Sequence, residues 1–237
     1  MSLPSLSVKD LTAGYRSPIV VGANFTIAAG HITGIIGPNG AGKSTVLKTL
    51  VGQLPVLRGT IHVQGQLGYM PQRAELDWDF PATVFDMVIM GRAPSLRWWQ
   101  WYSRADREAT WDALRHVGLD DKADVEIAHL SGGQRQRAIL ARTLVSSPDI
   151  VLLDEPFAGI DAPSQSAIEE ILRELASRNV AIGLVHHNLD DVARLCDSVV
   201  AVCDNQAKQS AVTSAEQLKW AFIGNAATES ERKLADV

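Results

Sequence analysis

With 237 residues, 46% of them hydrophobic and 21% charged, the chain can bury one substantial core or two small ones and is too apolar to be disordered. A formal net charge of -5 leaves no basic excess to neutralise phosphates, so a mainly nucleic-acid-binding surface is excluded and no nucleic acid is expected as a partner. Cys196 and Cys203, the two cysteines, form no CxxC pair. They read as ordinary buried thiols of a reduced, intracellular protein rather than as a disulfide scaffold or zinc ribbon.

From the N-terminus, MSLPSLSVKDL lacks the basic start and apolar run of a signal peptide. Residues 17–42 carry no Asp, Glu, Lys or Arg, but Gly and Pro interrupt them throughout, so they cannot form a membrane-spanning helix and the chain is expected to be soluble. Runs rich in branched residues predict strands at 6–8, 19–21, 32–36, 61–63, 150–153, 180–185 and 199–202. Segments of helical spacing lie between several of them, which predicts an α/β fold with an at least partly parallel sheet. Residues 84–147 break the alternation, with helical patterns at 104–117 and 134–145 and no convincing strand. They read as a helical insertion into a nucleotide-binding core formed by 1–83 and 148–224. Residues 225–237 are a polar tail without apolar period.

The strongest local signal is GPNGAGKST at 37–45, preceded by the apolar run ITGII and followed by VLKTL. This is a P-loop in its strand–loop–helix context. Gly37, Gly40 and Gly42 permit backbone angles and close approaches that a side chain would block, so that amides from Gly37 through Asn39 to Thr45 can face phosphates at a helix N-terminus. Lys43 is expected to reach the β- and γ-phosphates and Ser44 to ligate Mg²⁺.

In IVLLDE, at 150–155, four apolar residues precede two acids. A buried strand ending in this way puts carboxylates at the carboxyl edge of a sheet, where open α/β folds bind ligands. Asp154 is expected to hold Mg²⁺, and Glu155 to orient or deprotonate the attacking water.

The sequence LSGGQ at 130–134 opens a helical run that Ser131 can cap. Here the chain resembles the ATP-binding-cassette (ABC) ATPases, over residues 6–220. The resemblance implies a P-loop, RecA-like core with an antiparallel β subdomain and an inserted α-helical subdomain. It also implies head-to-tail dimers, in which Ser131, Gly133 and Gln134 of one cassette close over ATP held by the other. Tyr15 looks like the aromatic that stacks on adenine. Gln72, in YMPQ, looks like the glutamine that reads Mg²⁺ and the γ-phosphate while linking core to insertion. Gly159-Ile160-Asp161 resembles the loop coupling the two active sites, with Ile where Leu is more usual. His187 resembles the switch histidine that contacts the γ-phosphate, followed by Asn188 where Asp is commoner.

The run PQRAELDWDFPATVFDMVIMGR at 71–92 looks like the branch that powers uptake of manganese, zinc or ferrous iron. That resemblance implies two integral membrane permease subunits, a second ATPase subunit (an identical copy), and an external metal-binding protein reached through the permease. It places the chain peripherally on the cytoplasmic face of the plasma membrane, with ATP and Mg²⁺ as cofactors. An importer of iron-chelate or cobalamin-type cargo and a soluble iron–sulfur assembly ATPase are the alternatives. Asp77-Trp78-Asp79 reads as a solvated or partner-facing loop rather than a metal pair. His186 and His187, as neighbours on a strand, are expected to point to opposite faces. In RWWQWY, at 97–102, two aromatics are expected to fill the core of the insertion and the others to cover its edge.

Overall fold

The computed structural model describes residues 3, 5–72, 76–95 and 101–211. Nine strands form one sheet: β1 (Ser5–Gly14), β2 (Pro18–Ala28), β3 (Ile32–Ile36), β4 (Val56–Gln64), β5 (Leu67–Met70), β6 (Ile150–Asp154), β7 (Ala181–Val185), β8 (Ser198–Cys203) and β9 (Gln206–Ala211). Their order is β4-β1-β2-β9-β8-β3-β7-β6-β5. β1 pairs antiparallel with β2 and β4, whereas β8, β3, β7, β6 and β5 run parallel. This is the mixed α/β architecture with an antiparallel flank that the sequence predicted.

Every residue of β3, β6 and β7 is buried. Such strands must be apolar on both faces, which is why they read as near-continuous hydrophobic runs. The period of two divides them between two cores. Ile150 and Leu152 pack with Val46, Leu47 and Leu50 of α1 (Lys43–Leu50) and with the inner face of β1 and β2. Val151 and Leu153 pack on the other face with α4 (Gly132–Leu144), α5 (Ala162–Ser177) and α6 (Leu189–Leu195). Truncating one such leucine to alanine costs about 2–5 kcal/mol.

Between β5 and β6 the described residues hold helices and short 3-10 turns, with an isolated antiparallel bridge, Thr83↔Glu126, inside the segment. The helices are α2 (Val84–Ile89), α3 (Arg104–His116) and α4, against predicted spans of 104–117 and 134–145. α4 starts at Gly132, ahead of the apolar pattern, directly after the Ser131 cap that the sequence suggested. Trp101 is 92% exposed and Tyr102 half-buried, so Trp101 fills no core, while 97–100 lie outside the described residues. The tail at 225–237 lies outside them as well.

α3 is anchored by a buried carboxylate. Asp106 accepts from Ser103 N (2.8 Å) and Ser103 Oγ (2.7 Å), and its other oxygen accepts from Arg92 Nε (2.8 Å). The Ser103 hydrogen bonds, then Arg92, pull its pKa from 3.8 down to about 2. A carboxyl with a lower pKa folded than unfolded contributes stability above its unfolded value and loses it as pH falls through the folded one. Asp106→Ala should therefore cost about 2 kcal/mol at pH 7 in urea unfolding. The gap from wild type should narrow between pH 3.8 and about 2; an undiminished gap at pH 2 would contradict the assignment.

Candidate active site

Four neighbouring parallel strands deliver their carboxyl ends to one edge, which is where an open α/β sheet leaves a crevice. β3 runs into the Gly-rich loop, β7 into His186 and His187, β6 into Asp154 and Glu155, and β5 into Pro71 and Gln72. Sequence separations of more than a hundred residues thus collapse into one place.

The loop from Gly37 to Gly42 leads into α1 without a side-chain cap, so the first amides of that helix are open to an anion. Gly42, at φ 99°, could not carry a side chain easily, since a Cβ there would come within 2.7 Å of Ile19 Cγ2. Pro38, Asn39 and Gly40 are exposed at the tip. Lys43 is buried and donates from Nζ to the carbonyls of Gly37 (2.9 Å) and Pro38 (2.8 Å). Its burial lowers the ammonium pKa, against the raising pull of Glu155 and Asp154. Thr45 is buried, and Ser44 Oγ donates to Asp154 Oδ1 across 3.2 Å.

Asp154 is 1% exposed, whereas Glu155 is half-buried. The Glu155 backbone sits at φ 53°, in the left-handed region that an L-residue with a long side chain adopts at a cost. Besides the Ala158 N–H, which donates to the Glu155 carbonyl at 3.1 Å, two side chains hold it. Gln72 Nε2 donates to Glu155 Oε2 at 2.9 Å, and Gln136 Nε2 donates to the Glu155 carbonyl at 3.4 Å. Gln136 is fully buried on α4 and was not singled out by sequence, because a polar residue inside an amphipathic helix has no local signature.

Ser131 caps α4 through a reciprocal pair: its Oγ accepts from Gln134 N (3.3 Å) and its N–H donates to Gln134 Oε1 (2.9 Å). Gly133 is required for a close approach, since a Cβ would lie 2.0 Å from Ser164 Oγ in the first turn of α5. Asp161, exposed, caps α5 by accepting from Ser164 N at 3.2 Å. The hydrogen bonds from Ser164 hold its carboxyl below the usual range. Within one chain the LSGGQ helix start thus touches the 159–161 loop and, through Gln136, the carboxylate segment. Tyr15 is 56% exposed, outside these contacts.

His186 is buried and His187 exposed, but both lie beyond the end of β7 and their rings meet edge-on, 5.4 Å between centroids, so strand alternation does not send them to opposite faces; Asn188 caps α6 by accepting from the amides of Asp190 and Asp191. Cys196 is buried, but Cys203 is only half-buried, at the rim of a cleft that it shares with Asn39, Gly40 and Ala41. Asp77 and Asp79 are exposed, and Trp78 between them lies under Arg135 of α4 at 4.8 Å. Residues 73–75 of that run lie outside the described residues.

Comparison with known proteins places this geometry. The family described as ABC transporter matches residues 20–158. The zinc transport system ATP-binding protein TroB of Treponema pallidum is 41% identical over 220 residues, 89% of this chain and 83% of that protein. The manganese transport system ATP-binding protein MntB of Halalkalibacterium halodurans is 36% identical over 241 residues, 97% of this chain and 96% of that protein. A solved transporter described as metal-chelate type, in an inward-facing conformation, superposes with a TM-score of 0.85 at 29% identity, over 93% of this chain and 89% of that one. The cassette MJ0796, as a dimer with ADP and phosphate, shares the fold with a TM-score of 0.76 at 22% identity, over 88% of this chain and 99% of that one. No helix among the described residues is long and apolar enough to cross a membrane. A phosphate loop, an acid-ended central strand and a capped LSGGQ helix on one P-loop fold carry the conclusion that this chain belongs to the ABC transporter family, as an ATP-binding and ATP-hydrolysing cassette.

Proposed function

We propose that the chain is the ATPase subunit of a membrane importer for a divalent transition metal, manganese, zinc or ferrous iron. The observation that carries this reading is the Gln72–Glu155 contact, because the chain leaving Gln72 goes on to line an apolar cleft. That cleft, of about 150 Å³, lies among Leu76, Trp78, Phe80, Met87, Met90 and Ile127. A second, of about 310 Å³ and lined by Phe85, Ile89 and Tyr102, adjoins it at Phe80, Ala82 and Met90. Phe80 and Met90 are exposed, as suits a surface that a permease subunit covers. The relatives named for zinc and manganese transport support the cargo class.

In this reading residues 1–224 form one cassette, with 1–83 and 148–224 as the nucleotide-binding core and 84–147 as the helical subdomain. Two copies pair beneath two permease subunits on the cytoplasmic face of the membrane, and an external binding protein presents the metal to the permease. Tyr15 stacks on adenine. Gly37, Asn39, Gly40, Gly42 and Thr45 cradle the phosphates, and Lys43 exchanges its loop carbonyls for β- and γ-phosphate oxygens. Ser131, Gly133 and Gln134 of the second copy close over the same ATP, with Asp161 linking the two sites. ATP thus draws the copies together, and the permease subunits follow through the clefts.

Hydrolysis needs a water in line with the γ-phosphate, a base to accept its proton, and charge compensation. Glu155 is the base, aimed by Gln72, and His187 contacts the γ-phosphate and positions the water. The hydroxyl of Ser44, the carboxylate of Asp154 and the carboxamide of Gln72 are a hard-oxygen donor set that fits Mg²⁺, and Ser44 and Asp154 already meet. When bound, that ion neutralises phosphate charge as it redistributes.

A second reading, import of a metal chelate, is favoured by the likeness to the metal-chelate type transporter. The higher identity to the zinc and manganese subunits weighs against it.

Glu155→Gln should leave ATP binding intact and lower turnover by about 10²–10⁴-fold; a variant that kept most of its turnover would reject Glu155 as the base. ATPase turnover of the reconstituted complex should rise with Mn²⁺, Zn²⁺ or Fe²⁺ only when the external binding protein is present. Stimulation by a metal chelate alone would favour the second reading, and failure to purify with any membrane subunit would overturn both.

A further inference from the structure

The two histidines after β7 differ in exposure although their rings touch. His187 is exposed, while His186 is 4% exposed and lies between its neighbour, ring centroids 5.4 Å apart and edge-on, and Phe157, 5.2 Å away. Phe157 is two residues past Glu155. The His186 backbone N–H still donates to the Ile35 carbonyl (3.2 Å), so the peptide is tied to the strand that feeds the phosphate loop.

The far side of His186 leads into a polar chain. Its Nε2 is 3.3 Å from Asp191 Oδ2, and Asp191 Oδ1 accepts from Arg194 Nη2 at 3.1 Å. The Arg194 guanidinium forks onto Glu169, with Nη2 to Oε1 at 2.6 Å and Nη1 on Oε2. Gln165 Nε2 donates to Glu169 Oε1 at 2.9 Å, and Gln165 N–H donates to the Asp161 carbonyl at 3.0 Å. Glu169 is 2% exposed, so this carboxylate bears a desolvation cost that packing alone does not demand. Burial holds the His186 pKa below the ordinary imidazole value, against the opposing pull of Asp191. In the neutral ring, Nε2 carries the proton and donates to Asp191, which fixes the tautomer and the ring plane.

We propose that His186 is a positioning residue for ATP hydrolysis: locked by Asp191, Arg194 and Glu169, it sets the peptide and ring orientation of His187 and ties them to the start of α5 at Asp161. The proposal rests on the reading that His187 acts on the γ-phosphate.

His186→Phe keeps a ring against Phe157 and removes the nitrogen. It should lower kcat about tenfold while KM for ATP stays within about twofold, because geometry at the reacting centre is lost and nucleotide contacts are not. His186→Gln, which retains an N–H donor, should recover most of the loss. The double variant His186→Phe/His187→Ala should turn over no more slowly than His187→Ala alone, since a residue acting only through another adds nothing once that one is gone. Should His186→Phe not fold, Asp191→Ala probes the same link from the half-buried side and should show the same kcat loss at unchanged KM. Wild-type kcat in the folded variant, or additive losses in the double variant where His187→Ala is impaired, overturns the proposal. Full activity of His187→Ala instead overturns the reading of His187 on which the proposal stands.

Discussion

A parallel strand covered on both faces has few places for a polar side chain other than its ends. In this fold β3, β6 and β7 are buried along their whole length, and the polar residue inside them, Thr33, is paired with the Ser198 hydroxyl at 3.2 Å. Their other polar residues are therefore pushed to the carboxyl edge, where the sheet order sets the phosphate loop, His187, the two acids and Gln72 side by side. The proposed catalytic set is thus assembled by the sheet, and the two apolar cores on its faces keep the strand ends in register.

Around that edge the helices act as connectors. α4 meets the site three times within one chain: Gln136 on the Glu155 carbonyl, Gly133 against Ser164, and Arg135 over Trp78. An arginine stacked on a tryptophan contributes roughly 0.5–2 kcal/mol, depending on how dry the contact is. A displacement of the cleft around Trp78 therefore has a short mechanical route to the helix that carries LSGGQ. Gln72 supplies a second route, from the same segment to the carboxylate itself. Coupling by contact requires discrete elements of this kind, each packed against the next.

Much of this was legible in the sequence because the strongest constraints are local. The run at 150–153 is apolar without a break and that at 32–36 is interrupted only by Thr33 and Gly34, as doubly covered strands require, and the phosphate loop and the LSGGQ cap are contiguous motifs. β5 and β9 escaped notice, and β4 was read only at 61–63, for the opposite reason. β4 is exposed along nearly its whole length and contains Arg58, Gly59, Thr60 and His62, and β9 keeps only Ala207 buried, so neither bears a hydrophobic alternation. β5, at four residues, is too short to show one. The chain from His186 to Glu169 was invisible because its members are ordinary surface-type residues, and only folding brings Glu169 and Arg194 together across 25 positions.

The backbone of Glu155 shows what this arrangement demands of the fold. A left-handed residue that is not glycine is disfavoured by about 1–2 kcal/mol, and its φ of 53° lies where glycine would relax freely. Glycine here would stabilise the folded chain and delete the carboxylate. With Glu155 as the proposed base, the position is one where thermodynamic robustness and turnover pull in opposite directions, so a variant selected only for heat resistance would be drawn toward an inert protein. The hydrogen bonds from Gln72, Gln136 and the Ala158 N–H hold the strained conformation, and the two side chains among these donors carry no charge of their own.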